Sequence, residues 1–194
     1  SSKMIGALVE SDKSVVVNSG SYGGSNSTST LGRDVGFDQI VSFEKTGKEY
    51  IFVKGVGADD FERVLLIAQI PNTIIYLNGS PTPFTSLANP GDYVAIDGSQ
   101  FINGNLYVTA TENLFAYQSI GGSDSPANQN LFFVPPINCS PPNTVDNIPQ
   151  IQSIGSTTFN GILNIVTESG ATVLLNNNPI ASPPIAITGN SKFV

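Results

Sequence analysis

The sequence predicts an all-β protein made of two duplicated, sandwich-like modules. Three observations carry this. Short runs of β-branched and aromatic residues recur along the chain, turn dipeptides separate them at the 8–12-residue spacing typical of sandwich strands, and the chain nearly repeats itself at an offset of 99. A propeller or a solenoid is the alternative architecture for a chain of repeated β-units.

Taken in order, the strand candidates are Tyr50 to Val53, Val64 to Ala68, Thr73 to Leu77, Tyr93 to Ile96, Leu106 to Thr109 and Leu114 to Tyr117. Asn78-Gly79, Pro90-Gly91-Asp92, Asp97-Gly98, Asn103-Gly104 and Gly121-Gly122 supply the turns between them. Asp59 to Ile70 is the best helix candidate. Its unbroken apolar run Val64-Leu65-Leu66-Ile67-Ala68 reads better as a buried strand. Ser19 to Thr30, rich in Gly, Ser and Thr, and Pro135 to Asn147, with four prolines, read as loops.

The repeat sets the organisation. Val64 to Gln69 and Asn72 to Asn78 recur as Leu163 to Glu168 and Ala171 to Asn177, and Val15-Val16-Val17 matches Leu114-Phe115-Ala116. Asp38-Gln39-Ile40 matches Asp146-Asn147-Ile148 at an offset of 108. Each copy then has a head (Asp38 to Ser80; Asp146 to Ile180) and a tail (Asp92 to Ser123), and the chain opens with a further tail, Gly6 to Gly24. The expected division is residues 1–37 as tail strands of a preceding repeat with a Gly/Ser-rich loop, and 38–134 as the first complete module. A Pro-rich linker at 135–145 and the head of a second module at 146–194 follow. Either the first tail covers the second head, Val15 to Val17 lying on Ile162, Leu163, Ile165, Val173 and Leu175, or the segment is cut from a longer chain. Phe193-Val194, which reads as the start of a strand, favours the cut.

Composition excludes several functions. Charged residues make up 12%, with 8 Lys and Arg against 15 Asp and Glu for a net charge of −7, so Asn, Ser and Thr do the solvating. An acidic surface without basic clusters argues against nucleic acid and against anionic membranes. Histidine is absent, which removes the commonest general base and metal ligand together, so no Ser-His-Asp or Cys-His machinery can be assembled. The lone Cys139 reads as a small buried hydrophobe beside Ile137, with a bridge to a residue outside this segment or a reactive thiol as the functional alternative. No apolar run approaches the ~18 residues of a spanning helix, and Ser1-Ser2-Lys3-Met4 does not open a signal peptide.

Candidate sites are few. Asp59, Asp60 and Glu62 place three carboxylates within four residues, the hard oxygens that Ca²⁺ prefers. The spacing lacks the alternating ligands of an EF-hand loop, which favours a solvated loop paired with Arg63, with calcium as the functional alternative. Arg33, Asp34 and Asp38 read as an ion pair anchoring a loop, and Gly20 to Gly24 as a turn, lacking the Lys and helix of a phosphate loop. Asn26, Asn78 and Asn138 head N-glycosylation triplets. Glu10, Glu44, Glu49, Glu62, Glu112 and Glu168 show no spacing that identifies a catalytic carboxylate pair. No catalytic residue is assigned.

Val17 to Gly24, Gly32-Arg33-Asp34-Val35-Gly36-Phe37-Asp38-Gln39-Ile40, Glu49 to Gly55, Phe115 to Gln118 and above all Asn128-Gln129-Asn130-Leu131-Phe132-Phe133-Val134-Pro135-Pro136 carry a resemblance. Together they resemble the domain at the N-terminus of the mucus IgGFc-binding protein and in many large bacterial surface proteins. The cysteine-poor version here looks like the bacterial form, found in adhesins and other surface proteins of gliding bacteria exported by the type IX route. The resemblance implies a non-catalytic adhesion or structural module, extracellular or on the cell surface. Its implied partners are surface glycans or proteins and neighbouring modules of the same long chain. A carbohydrate-binding or carbohydrate-active accessory domain is the alternative. The family name comes from one animal protein, so antibody binding is not carried over.

Overall fold

The computed structural model describes residues 4–24, 34–121, 131–137, 143–146, 148, 153–158 and 161–194. The all-β expectation holds: among the described residues there is no α-helix, and the helical turns are the three-residue 3-10 segments Phe43–Lys45, Asp59–Phe61 and Gly98–Gln100. Strand β1 (Asn18–Gly24) pairs antiparallel with β2 (Asp34–Gln39), and the Ile40 amide extends the pair onto the Val17 carbonyl at 2.9 Å. This corrects the loop and turn expected over Ser19 to Gly24. Glycine and serine carry no strand signal of their own, and the ladder to Phe37, Gly36 and Val35 overrides their low propensity.

The main sheet has seven strands: β3 (Gly47–Val53), β4 (Arg63–Ala68), β5 (Thr73–Leu77), β6 (Thr85–Leu87), β7 (Tyr93–Asp97), β8 (Asn105–Ser119) and β9 (Phe132–Phe133). The two runs expected at Leu106 to Thr109 and Leu114 to Tyr117 are one 15-residue strand, β8. Its first half pairs with β3 on one side, from Val53↔Asn105 to Glu49↔Thr109, and with β5 on the other, from Leu77↔Val108 to Ile75↔Ala110. Its second half pairs with β4, from Ala68↔Leu114 to Arg63↔Ser119, and with β9 through Tyr117↔Phe133. Between the halves the partners jump from Glu49↔Thr109 to Gly47↔Leu114, so Ala110 to Asn113 form an irregularity that opposes a single residue of β3. Such a bulge bends a strand and lets it pass from one layer to the next. The sheet thereby wraps around a single core and nearly closes on itself.

That core follows the two-residue alternation of strands. Tyr50 and Phe52 of β3, Val64, Leu66 and Ala68 of β4, Ile75 and Leu77 of β5, Ile96 of β7, and Leu106, Val108, Leu114 and Ala116 of β8 form one buried cluster. Tyr50 ties the bend together: its hydroxyl accepts the Gly47 amide at 2.7 Å and donates to the Leu114 carbonyl at 2.5 Å. The Asp59 to Ile70 segment resolves as expected, a single 3-10 turn followed by the buried strand β4.

The duplication is written in the backbone. Gly6, Asn72, Asn78, Gly79 and Gly91 have positive φ, and so do Gly104, Gly170, Asn176, Asn177 and Gly189. Every pair is separated by 98, not 99, positions. At 98, Leu65, Ile67, Ile75, Leu77 and Asn78 meet Leu163, Ile165, Val173, Leu175 and Asn176, a better match than the 99-residue alignment. Left-handed turn residues fix register, and a one-residue slip exchanges the two faces of every strand, so the turns decide the alignment.

The second copy is much slighter. Hairpins β10 (Ser153–Ile154) with β11 (Thr157–Thr158) and β12 (Leu174–Leu175) with β13 (Asn178–Pro179) are two residues deep, and Thr167 and Val194 exchange backbone hydrogen bonds at 3.0 and 3.1 Å. Ile187 anchors the copy on the outer face of β3 and β8, packing with Ile51 and Tyr107. A Cβ added at Gly79 would stand 2.6 Å from the Gly189 Cα, so these two turns meet backbone to backbone and only glycine fits. The first tail does not cover the second head: Val16 is 70% and Ile162 is 64% exposed. Cys139, Arg33, Asn26 and Asn138, with the readings made of them, lie outside the described residues.

Candidate functional site: a groove beside strand β9

The acidic loop resolves into two separate arrangements. Glu62, fully buried, turns inward: one carboxylate oxygen accepts the amides of Gly57 at 3.1 Å and Gly121 at 3.2 Å, and the other accepts Gly55 at 3.0 Å. A Cβ at Gly55 would lie 2.8 Å from the carboxylate, so glycine there is what lets the backbone close around it. Asp59 instead pairs with Lys54 on the surface, and Asp60 is exposed. The Arg63 guanidinium reaches Asp97 at 3.6 Å. Asp59, Asp60 and Glu62 are thus not brought together. Among the described residues, no three His, Cys, Asp or Glu side chains form a metal-holding group.

Glu49, Asp97, Glu112 and Glu168 hold structural contacts. Glu49 accepts from the Tyr107 hydroxyl and from the Asn190 amide group at 3.2 Å, joining β3, β8 and the second copy. Burial, then the Glu49 carboxylate, push the Tyr107 phenol up to about 12. Burial and the charge of Asp38 likewise raise Tyr117. The Ser99 hydroxyl, helped by the Ser99 amide and Arg63 against the opposing effect of burial, holds Asp97 below the usual carboxylate range. Glu112 pairs with Lys48 at 3.0 Å and Glu168 with Lys192 at 3.3 Å. Asn78 sits in a left-handed turn, its side-chain amide donating to the Gln100 carbonyl at 2.9 Å.

A different surface forms a shallow, open groove beside β9. Ile51 and Val53 of β3, Gln118 of β8, Ile120, the run Phe132 to Pro135 and Asn164 of the second copy line an open cavity of about 240 Å³. Strand pairing builds it. The β8–β9 ladder holds Phe133 opposite Tyr117, their rings edge-on with centroids 5.9 Å apart, and the Val134 amide donates to the Ala116 carbonyl at 2.9 Å. Gln118 is fixed by its amide, which donates to the Val53 carbonyl at 2.6 Å. Phe132 is 42% exposed at the rim. The volume falls below the ~300–1,000 Å³ of small-molecule sites, a size that suits one or two anchoring groups of a larger partner.

Among the described residues the lining is apolar apart from the side-chain amides of Gln118 and Asn164, which suits contact with a partner. Sequence reasoning did not assign it as a site. Its signal was present in Phe132-Phe133-Val134-Pro135-Pro136, an apolar run beside prolines that leaves an aromatic ring at the surface.

With fold and groove described, the class is a β-module that presents a binding surface. The chain belongs to the family described as IgGFc binding protein, whose profile matches residues 1–194. That family is of a binding, non-enzymatic type. Searches among curated proteins and among solved structures returned no significant match.

Proposed function

We propose that this chain is a non-catalytic adhesion or structural module of a larger cell-surface protein, working outside the cell through the groove beside β9. The observation that carries this reading is the groove's lining, which joins the stretch that carries the family resemblance to a surface that is mostly apolar among the described residues. The cysteine-poor composition supports the bacterial form, with export by the type IX route and a place in the surface machinery of gliding bacteria. The partner is a surface glycan or protein. The exposed Phe132 ring favours a glycan as the second reading, since sugars stack their apolar faces on aromatic rings.

A glycan array and a panel of surface proteins, probed with residues 1–194 and with Phe132→Ala, test the proposal alongside a polysaccharide hydrolase panel. Binding that Phe132→Ala abolishes, with no turnover, is expected. Turnover of any polysaccharide would overturn the non-catalytic reading, and binding unaffected by Phe132→Ala would remove the groove from it.

A further inference from the structure

We propose that a second copy of this chain adds its first tail, around Val15 to Val17, as a strand along Ile162 to Val166 of the second head. The interface has a template inside the molecule. In the first copy, β4 lies between β7 and the second half of β8, with Ala68 opposite Leu114 and Ile67 opposite Phe115. Shifting these positions by the 98 residues that separate the left-handed turns turns Ala68 and Ile67 into Val166 and Ile165 of the second head. The same shift turns Leu114 and Phe115 into Val16 and Val17 of the first tail. The ladder of the first copy therefore predicts Val16 opposite Val166 and Val17 opposite Ile165.

In the second head Lys192 to Val194 pair with Thr167 to Ser169, five residues beyond the register in which β7 pairs with β4, and this leaves residues 161–166 in no strand with Ile162, Leu163, Ile165 and Val166 exposed. On the other side, Val15 and Val16 are exposed on a segment that likewise belongs to no strand. Within one molecule these two surfaces stay apart.

Their chemistry matches. Ser14 to Ser21 and Gly161 to Thr167 contain no charged residue, in a chain of net charge −7 whose surfaces otherwise repel a second copy. Exposed edges are ordinarily guarded by lysines, prolines or inward charges, and neither segment has one. The contact is heterologous, tail to head, so repeating it builds an open row of molecules rather than a closed dimer.

The test uses the whole chain in a Cys139→Ser background, with Val16→Cys and Val166→Cys made as separate variants, one of them isotope-labelled. Mixed under mild oxidation, they are expected to give the mixed disulfide dimer far in excess of either self-dimer. Adding Val17→Asp, at a half-buried position outside the core, is expected to abolish it while the far-ultraviolet β signal stays intact. Sedimentation of the unsubstituted chain should show species larger than dimers growing with concentration. Self-dimers as abundant as mixed ones, a sediment that stays monomeric throughout, or a doubly substituted chain that closes its disulfide within one molecule would each overturn the proposal.

Discussion

Replacing Glu62 with alanine is expected to lower stability by roughly 4 kcal/mol. The carboxylate is fully buried and is the recorded acceptor for the Gly55, Gly57 and Gly121 amides, and an unmet buried donor costs about 1–3 kcal/mol. The loss also releases the loop that joins β3 to β4 from the segment following β8, because Gly55 and Gly57 belong to the first and Gly121 to the second. For a chain of this size that is a fall in melting temperature of about 8–16 °C. Glu62→Gln separates charge from shape. Its amide oxygen can still accept from one side, but its NH₂ group would face a backbone donor, so an intermediate loss of about 2 kcal/mol is expected. Urea denaturation of the three proteins checks the order wild type, Gln, Ala; equal stabilities would show that the clasp does not hold the fold together.

Tyr50→Ala is expected to be comparably severe, at about 4–5 kcal/mol. The ring is completely buried in the cluster that includes Leu66, Leu106 and Val108, and removing a buried aromatic side chain costs about 3–5 kcal/mol through lost transfer energy and the cavity left behind. The hydroxyl adds to this, because it bridges the Gly47 amide to the Leu114 carbonyl where β8 bends. Tyr50→Phe keeps the ring and strands both partners, for an expected loss of about 1–3 kcal/mol. A Phe variant as stable as wild type would show that the bend is held by packing alone.

Much of the fold was legible because its signals are local. Val64 to Ala68 is apolar on every residue, as a strand with neighbours on both sides requires, and Asn78-Gly79 and Asn103-Gly104 are turn pairs whose left-handed φ the structure shows. What sequence could not show lies in contacts between distant residues. Nothing local marks Thr109 to Leu114 as a bend rather than a break, so one long strand was read as two. The glycines and serines of β1 are strand only because β2 pairs with them. The acidic loop misled for the same reason: three carboxylates close in sequence look like a cation site, yet the side chain of Glu62 points inward and that of Asp59 outward to Lys54. The groove was visible only as a family-typical motif. Its other walls, Ile51, Gln118 and Asn164, come from three separate parts of the chain.

One core, organised on the bent strand β8, carries the stability of the chain while the second copy rides on its outer face. Native-state hydrogen exchange on a dilute, monomeric sample tests this most directly. The slowest exchange is expected at Leu106 to Val108 and Leu114 to Ala116, matched by their partners in β3 and β4, with residues 161–166 exchanging orders of magnitude faster. Protection of 161–166 equal to that of β8, or rapid exchange across Ala110 to Asn113 that divides β8 into two independently opening halves, would contradict it.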